Sequence, residues 1–353
     1  MIDKPTMAPG KKSGQKPGVI TLKAVAQHLG LTPGTVSAVL NDSPSARSIP
    51  QETKSRIRAA AKELNYRPNF FARTLRNKRT YTIGVITEEI GDSYGSAIVS
   101  GIESYLRQRD YFFLTVVHRH DPELLARYSN ILSERGVEGI ITVDTTVQET
   151  PTLPTVAVAG HKKVKGVTNI VLDHDRAAVL ALNHLKELSH ERIAFMKGSP
   201  VSSDSKDRWD AICQVAAQIG LRIDPELTVQ IDSDDATPML GYPFTKQLLE
   251  RNKPFTALFA YNDISAIGAI RALQERGLRV PEDVSVLGFD DIPGAAFHHP
   301  SLTTVRQPLK RMGEVAAQTL LERIEGQIEY PSEIAIEPEL VVRESTAKAR
   351  GSC

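Results

Sequence analysis

ITLKAVAQHLGLTPGTVSAVLN, residues 20–41, carries the pattern on which the reading of the chain turns. Leu22, Val25, Ala26 and Leu29 recur at the i, i+3, i+4, i+7 spacing of an amphipathic helix, and Gly30-Leu31-Thr32 interrupts it. Thr32 is placed to cap a second helix and Pro33 suits its first turn, with Val36, Val39 and Leu40 as its apolar face. Helices this short are unstable alone and need a third to pack on. QETKSRIRAAAKEL supplies it through the stripe Ile57, Ala60, Ala61, Leu64. Two short helices around a tight glycine-containing turn, with a supporting helix, predict a small all-α helix-turn-helix DNA-binding domain. In that geometry the second helix enters the major groove, so Thr35, Ser37 and Asn41 face phosphates or base edges.

Charge supports the same division. The chain of 353 residues has a formal net charge of +1, but residues 19–80 hold eleven Lys or Arg against three Asp or Glu. That block carries +8, the first 18 residues +3, and the remainder −10. Such a layout is expected when one end meets a polyanion and the other does not.

Beyond residue 80, TIGVIT, YFFLTVV, GIITV, TVAVAG, RIAFMKG, TALFAY and VSVLGF read as buried strands alternating with amphipathic helical stretches. The alternation predicts α/β architecture, parallel sheets with helices on both faces, and leaves enough chain for two lobes. Ligands of open parallel sheets sit at the carboxyl ends of strands, and Asp92, Tyr94, Asn262 and Asp290 all follow such runs.

The segment 20–41, followed by ELNYRPNFFARTLRNKRTYTIGV, resembles the amino-terminal domain and hinge of the lactose-repressor (LacI) family of bacterial transcription regulators. The resemblance implies DNA contacts from Thr21, Pro33, Gly34, Thr35, Ser37, Ala38 and Asn41. It also implies a hinge helix carrying Asn69, Arg73 and Leu75, with Leu75 as a wedge entering the minor groove. The chain departs from the family at three places. NDSPSARSI is longer than the usual loop, Ala38 stands where an arginine commonly reads guanine, and Pro33-Gly34 replace larger base-reading side chains.

Downstream, NIVLDHDRAAVLALNHLKELSHERIAFMKG, TALFAYNDISAIGAIRALQERGLRVPEDVSVLGFDD and SLTTVRQPLKRMGE are similar to the family's effector-binding core. That core is a two-lobed, periplasmic-binding-protein-like domain. The resemblance implies a flexible basic tail over 1–18, the helix-turn-helix over 19–68, a hinge and linker over 69–80, and an effector-binding and dimerisation domain over 81–353. Lobe 1 is expected at about 81–172 and 305–333 and lobe 2 at about 173–303 and 335–353, with crossovers near Leu172, Thr304 and Ile334. Carried over residue by residue, the effector site is Asp92 and Tyr94 on lobe 1 with Arg208, Asn262 and Asp290 on lobe 2. Carboxylate, amide and guanidinium groups beside an aromatic face suit a mono- or oligosaccharide. Departures remain here too: Asp92-Ser93-Tyr94 replaces the common Asn-Pro-Phe, and Ala211 stands where the family has glycine. Trp209 has two readings, stacking on a ligand or filling the lobe.

His118-Arg119-His120-Asp121 lacks a second cluster to complete a metal sphere and reads as a solvated strand end. GxGxxG after the first strand, a phosphate loop and a GxSxG elbow are all missing, which disfavours an enzyme; no cofactor or metal is implied. Two distant cysteines, no signal-peptide pattern and no long apolar run predict a cytoplasmic protein without a membrane partner. The final residues lack a leucine heptad, so a tetramerising coiled coil is not expected. The expectation is a homodimeric repressor on a pseudo-palindromic double-stranded operator, controlled by a sugar; inducer and corepressor stay open. The alternatives are a regulator answering to a nucleobase or sugar phosphate, and a plain sugar-binding protein.

Overall fold

A computed structural model describes residues 20–67, 79–91, 93–160, 162–200, 202–232, 237–326 and 330–350. The chain divides into two compact units, residues 1–79 and 80–353. The basic tail, the hinge residues Asn69, Arg73 and Leu75, and Asp92 lie outside the described residues.

In the first unit α1 spans Leu22–Leu29, α2 Pro33–Leu40 and α3 Gln51–Glu63. Thr21 accepts from the Ala24 amide at the start of α1, and Thr32 accepts from the Thr35 amide at the start of α2. Each satisfies one N–H that the helix itself leaves unpaired. Gly30 ends α1 at φ +66°, a left-handed conformation that L side chains rarely adopt, which makes the tight turn feasible. Val25, Ala26, Val36, Val39, Ile57, Ala60 and Ala61 form the core between the helices.

The second unit contains two six-stranded sheets. The first is built from β1 (Thr82–Thr87), β2 (Phe112–Val117), β3 (Gly139–Val143), β4 (Thr155–Val158), β5 (Val167–Leu172) and β11 (Glu333–Ile336). Its order is β11-β5-β4-β3-β1-β2, all parallel, with Ile83 of β1 opposite Phe113 on one side and Gly139 on the other. The second sheet contains β6 (Ile193–Lys197), β7 (Thr228–Gln230), β8 (Ala257–Phe259), β9 (Ser285–Asp290), β10 (Thr303–Arg306) and β12 (Glu339–Val341). Its order is β12-β10-β9-β8-β6-β7, parallel except for the β10–β12 pair.

Helices cover both sheets. Those that position side chains discussed below are α4 (Ser93–Gln108), α5 (Pro122–Glu134), α6 (His174–Glu187), α7 (Ser203–Gln218), α8 (Tyr242–Glu250), α9 (Asp263–Glu275), α10 (Pro293–Phe297) and α11 (Leu309–Ile324). Although α11 follows β10 of the second sheet, it packs on α4 in the first lobe, where Leu309, Met312, Ala316 and Leu320 join the core of Ile83, Val85, Ile98 and Ile102. Two glycines permit that closeness. A Cβ on Gly101 would lie 2.0 Å from the Lys310 carbonyl oxygen, and one on Gly313 2.1 Å from that of Ile98.

Pairing corrects two of the expected crossovers. β10 stays in the second sheet as far as Arg306, so that crossing falls at Gln307-Pro308 and not near Thr304. β11 remains paired with β5 through Ile336, so the third crossing follows Ile336 and not Ile334. YFFLTVV is also no fully buried strand. Among the described residues β2 is an edge with only β1 beside it, and Phe112 is 77 % exposed. Among the described residues no helix is long and apolar enough to cross a membrane.

Candidate DNA interface and effector cleft

The start of α2 presents Pro33 and Gly34 to solvent, and a Cβ on Gly34 would meet only Thr32 Oγ1 at 3.8 Å. No packing need explains that glycine, so the backbone is left bare. The Thr35 and Thr32 hydroxyls lie 2.9 Å apart, and exposed Asn41 donates through Nδ2 to the Ser37 carbonyl at 2.8 Å and hydroxyl at 3.2 Å. Thr21 is exposed at the start of α1. Ala38, expected at the reading surface, is instead buried. The extra-long loop explains this. Ser43 donates its amide and hydroxyl to the Ala38 carbonyl at 3.0 and 3.3 Å, and the 3-10 turn Pro44–Ser48 seats Ala46 in the same core. The two sequence departures, the missing arginine and the longer loop, are one structural feature.

In the second unit a polar cluster gathers at the carboxyl ends of strands from both sheets. Arg208 of α7 is the centre. It donates to Asp204 one turn earlier and to the Tyr261 carbonyl at 2.7 Å. Its guanidinium lies 3.8 Å from the Phe289 ring centroid and 4.8 Å from that of Tyr261, within cation–π range. Burial pulls its pKa down, but Asp204, with Tyr261, Asp290 and Tyr94, more than offsets this and leaves it raised. Asp204 is tied from its other side by His174 Nε2 at 2.9 Å.

Asp290 ends β9, buried, and accepts from Gln307 Nε2 at 2.6 Å. Burial pushes its carboxyl up to about 8, against the lowering by Arg208 and with a raising push from Asp263. The backbone here is left-handed at two successive non-glycine residues, φ +106° at Asp290 and +57° at Asp291. Buried Asp263 holds the turn by accepting from the Ile292 amide at 2.8 Å and the Thr304 hydroxyl at 2.6 Å. Asp291 points elsewhere, to Arg306 and Arg343.

Tyr94, in the first turn of α4, reaches this cluster from the first lobe. Burial, then Asp204, Asp144 and Asp290, raise its phenol well above the usual range. Its hydroxyl, Arg208 Nε and Gln307 Oε1 are buried and have no hydrogen-bond partner among the described residues. Tyr94, Arg208 and Asp290 are thus brought together, whereas Asn262 spends its Oδ1 capping α9 through the Ser265 amide at 2.9 Å. Trp209 meets Phe195 edge-on at 5.9 Å with Lys197 Nζ 5.3 Å from its ring, which supports the lobe-filling reading. His118 bonds Thr145 at 2.8 Å and His120 pairs with Glu88.

Sequence reasoning missed Asp204, His174, Tyr261, Phe289 and Gln307. An acid four residues before Arg208 on one helix was the available signal for Asp204; Gln307 had none, because it arrives through a crossover.

A three-helix DNA-reading unit joined to a two-lobed α/β unit with polar groups converging between its sheets defines a helix-turn-helix regulator with a binding-protein-like second domain. The profile for bacterial regulatory proteins of the lacI family matches residues 21–69, and that for a periplasmic binding protein-like domain matches residues 182–346. The HTH-type transcriptional repressor PurR of Haemophilus influenzae is 33% identical over 338 residues, 92% of this chain and 98% of the relative. The lac repressor dimer bound to operator and the anti-inducer ONPF superposes with a TM-score of 0.83 at 26% identity, over 94% of this chain and 100% of that one. The transcriptional regulator CelR in complex with cellobiose gives 0.67 at 28% identity, over 92% and 99%. The chain belongs to the LacI family: it is a DNA-binding transcriptional repressor, not an enzyme.

Proposed function

We propose that this repressor's operator affinity is set by a small molecule held between the two lobes, and that the molecule is a carbohydrate. The observation that carries the reading is that three of the buried polar atoms left unpaired among the described residues, Tyr94 Oη, Arg208 Nε and Gln307 Oε1, belong to this one cluster. Buried polar groups are almost always paired, so an unpaired set at the carboxyl ends of parallel strands marks groups kept for a ligand. Donors and acceptors alternate there: a phenol, a guanidinium, an amide oxygen and the Asp290 carboxyl. That mixture matches vicinal hydroxyls, each of which donates and accepts. The cellobiose complex of CelR supports this class. A nucleobase is the second reading, favoured by the full-length match to PurR and by the aromatic rings of Tyr94, Tyr261 and Phe289 around the cluster.

DNA is read by the start of α2, with Pro33 and Gly34 admitting the backbone close to the duplex and Thr35, Ser37 and Asn41 offering polar contacts; Thr21 adds one from α1. On the family resemblance, Asn69, Arg73 and Leu75 are assigned a DNA-binding role and Asp92 an effector-binding role. Two copies act together on a twofold operator. Exposed Phe112, Leu114 and Ile90 on the first lobe, and Phe297 and Met239 on the second, supply apolar surface for a self-complementary interface.

Thermal melting of the full chain against sugars and nucleobases tests the ligand. A ligand at 100 times its Kd adds about 2.7 kcal/mol of stability. A sugar is expected to stabilise, and Tyr94→Phe to weaken its binding about 5–10-fold without lowering the ligand-free melting temperature, one hydrogen bond being worth about 1 kcal/mol. Stabilisation by nucleobases alone would favour the second reading, and none from either class would contradict a small-molecule cleft.

A further inference from the structure

The loop that buries Ala38 also builds a basic recess of about 240 Å3, lined by Asp42, Ser43, Arg47, Gln51, Lys54 and Arg58 among others. Three cations face one acid. Arg58 is paired with Asp42 at 2.8 Å, both largely exposed, a solvent-screened contact of little strength. Arg47 and Lys54 have no ion pair among the described residues. Gln51 opens α3, whose N-cap position is Pro50, and among the described residues no side-chain cap bonds its first-turn N–H groups. Uncapped amides and the positive end of the helix dipole add to the cationic side chains.

We infer that this recess is a second DNA-backbone contact, in which Arg47 and Lys54, with Arg58, hold a phosphate of the duplex. The inference rests on the DNA-binding reading and goes beyond the α2 contacts. Its physical logic links the two departures of the first unit. With Ala38 folded under the loop, α2 offers no arginine to the groove. The turn that covers it carries Arg47 outward instead, so charge lost at the base-reading helix returns as a backbone contact. A phosphate contact carries no sequence information. The recess therefore strengthens binding to any duplex by a similar factor.

The test measures affinity of the full-length protein for several 30-base-pair duplexes of unrelated sequence across a range of salt concentrations. Each phosphate contact contributes about −0.9 to the slope of log K against log salt. Replacing both Arg47 and Lys54 with alanine is expected to flatten the slope by up to about one and to weaken every duplex alike. Arg47→Lys should keep the slope. Asp42→Asn, which releases Arg58, should tighten binding about threefold, whereas Lys62→Ala, at the far end of α3, should change it less than the double substitution. An unchanged slope in the double variant, or a loss confined to one sequence, would overturn the proposal; the second result would make Arg47 a base reader. A parent protein that bound no duplex at all would overturn DNA binding itself and the recess with it.

Discussion

Asp290 shows at single-residue scale how burial and function meet. Its carboxyl, pushed up to about 8 chiefly by burial, binds a proton in the folded chain over a range where the unfolded chain, near about 3.9, does not. Between those values the folded state holds more protons, so raising the pH through the window removes stability. Asp263, pushed up to about 7 chiefly by burial, adds a second contribution of the same sign. Asp290→Asn keeps an acceptor for Gln307 and tolerates the left-handed backbone. Its melting temperature should therefore fall less than that of the parent between pH 5.5 and 8.5, and parallel curves would show that Asp290 does not titrate there. Asp290 was legible in sequence because it ends an apolar run. Its partners were less so: Asp204 and His174 are 30 residues apart, and Gln307 meets Asp290 only because the chain crosses between lobes beside it.

At the scale of elements, the tightest contact of the first lobe joins α4 and α11, which are about 200 residues apart in sequence. Gly101 and Gly313 sit where each helix meets the other's backbone. Gly101→Ala gains helix propensity of roughly 1 kcal/mol, but its methyl would overlap the Lys310 carbonyl, and overpacking costs about 1–3 kcal/mol or more. The steric cost wins: urea unfolding of the second unit should move to lower concentration, while the same change at open Gly34 leaves that transition in place. A neutral Gly101→Ala would mean the helices separate easily. The helices and most central strands were readable from periodicity, since burial imposes it. The edge strand β2 was not distinguished from a buried one, because composition cannot say whether a partner lies beyond it. Strands β5, β7, β10, β11 and β12 were missed: β7 is only three residues long, and the other four flank the crossovers between lobes. Ala38 was misplaced because a position inherited by resemblance took no account of the longer loop beside it.

The whole molecule combines a basic three-helix unit with an acidic two-lobed one, and its regulation depends on whether the second senses a ligand that the first reports. A ligand changes operator affinity only by the difference in its own affinity for the two DNA-binding states. In the proposed reading, a ligand that clamps Tyr94 of one lobe against Arg208 and Asp290 of the other supplies that differential contact. The most direct test is a titration of an operator, selected from random duplexes by the full-length protein, in the absence and presence of a saturating ligand found by thermal melting. The account predicts two chains per duplex and a change in affinity of about 5–150-fold, the usual range of allosteric coupling, with Tyr94→Phe needing more ligand for the same change. Operator affinity that stays constant while the cleft is saturated would contradict it.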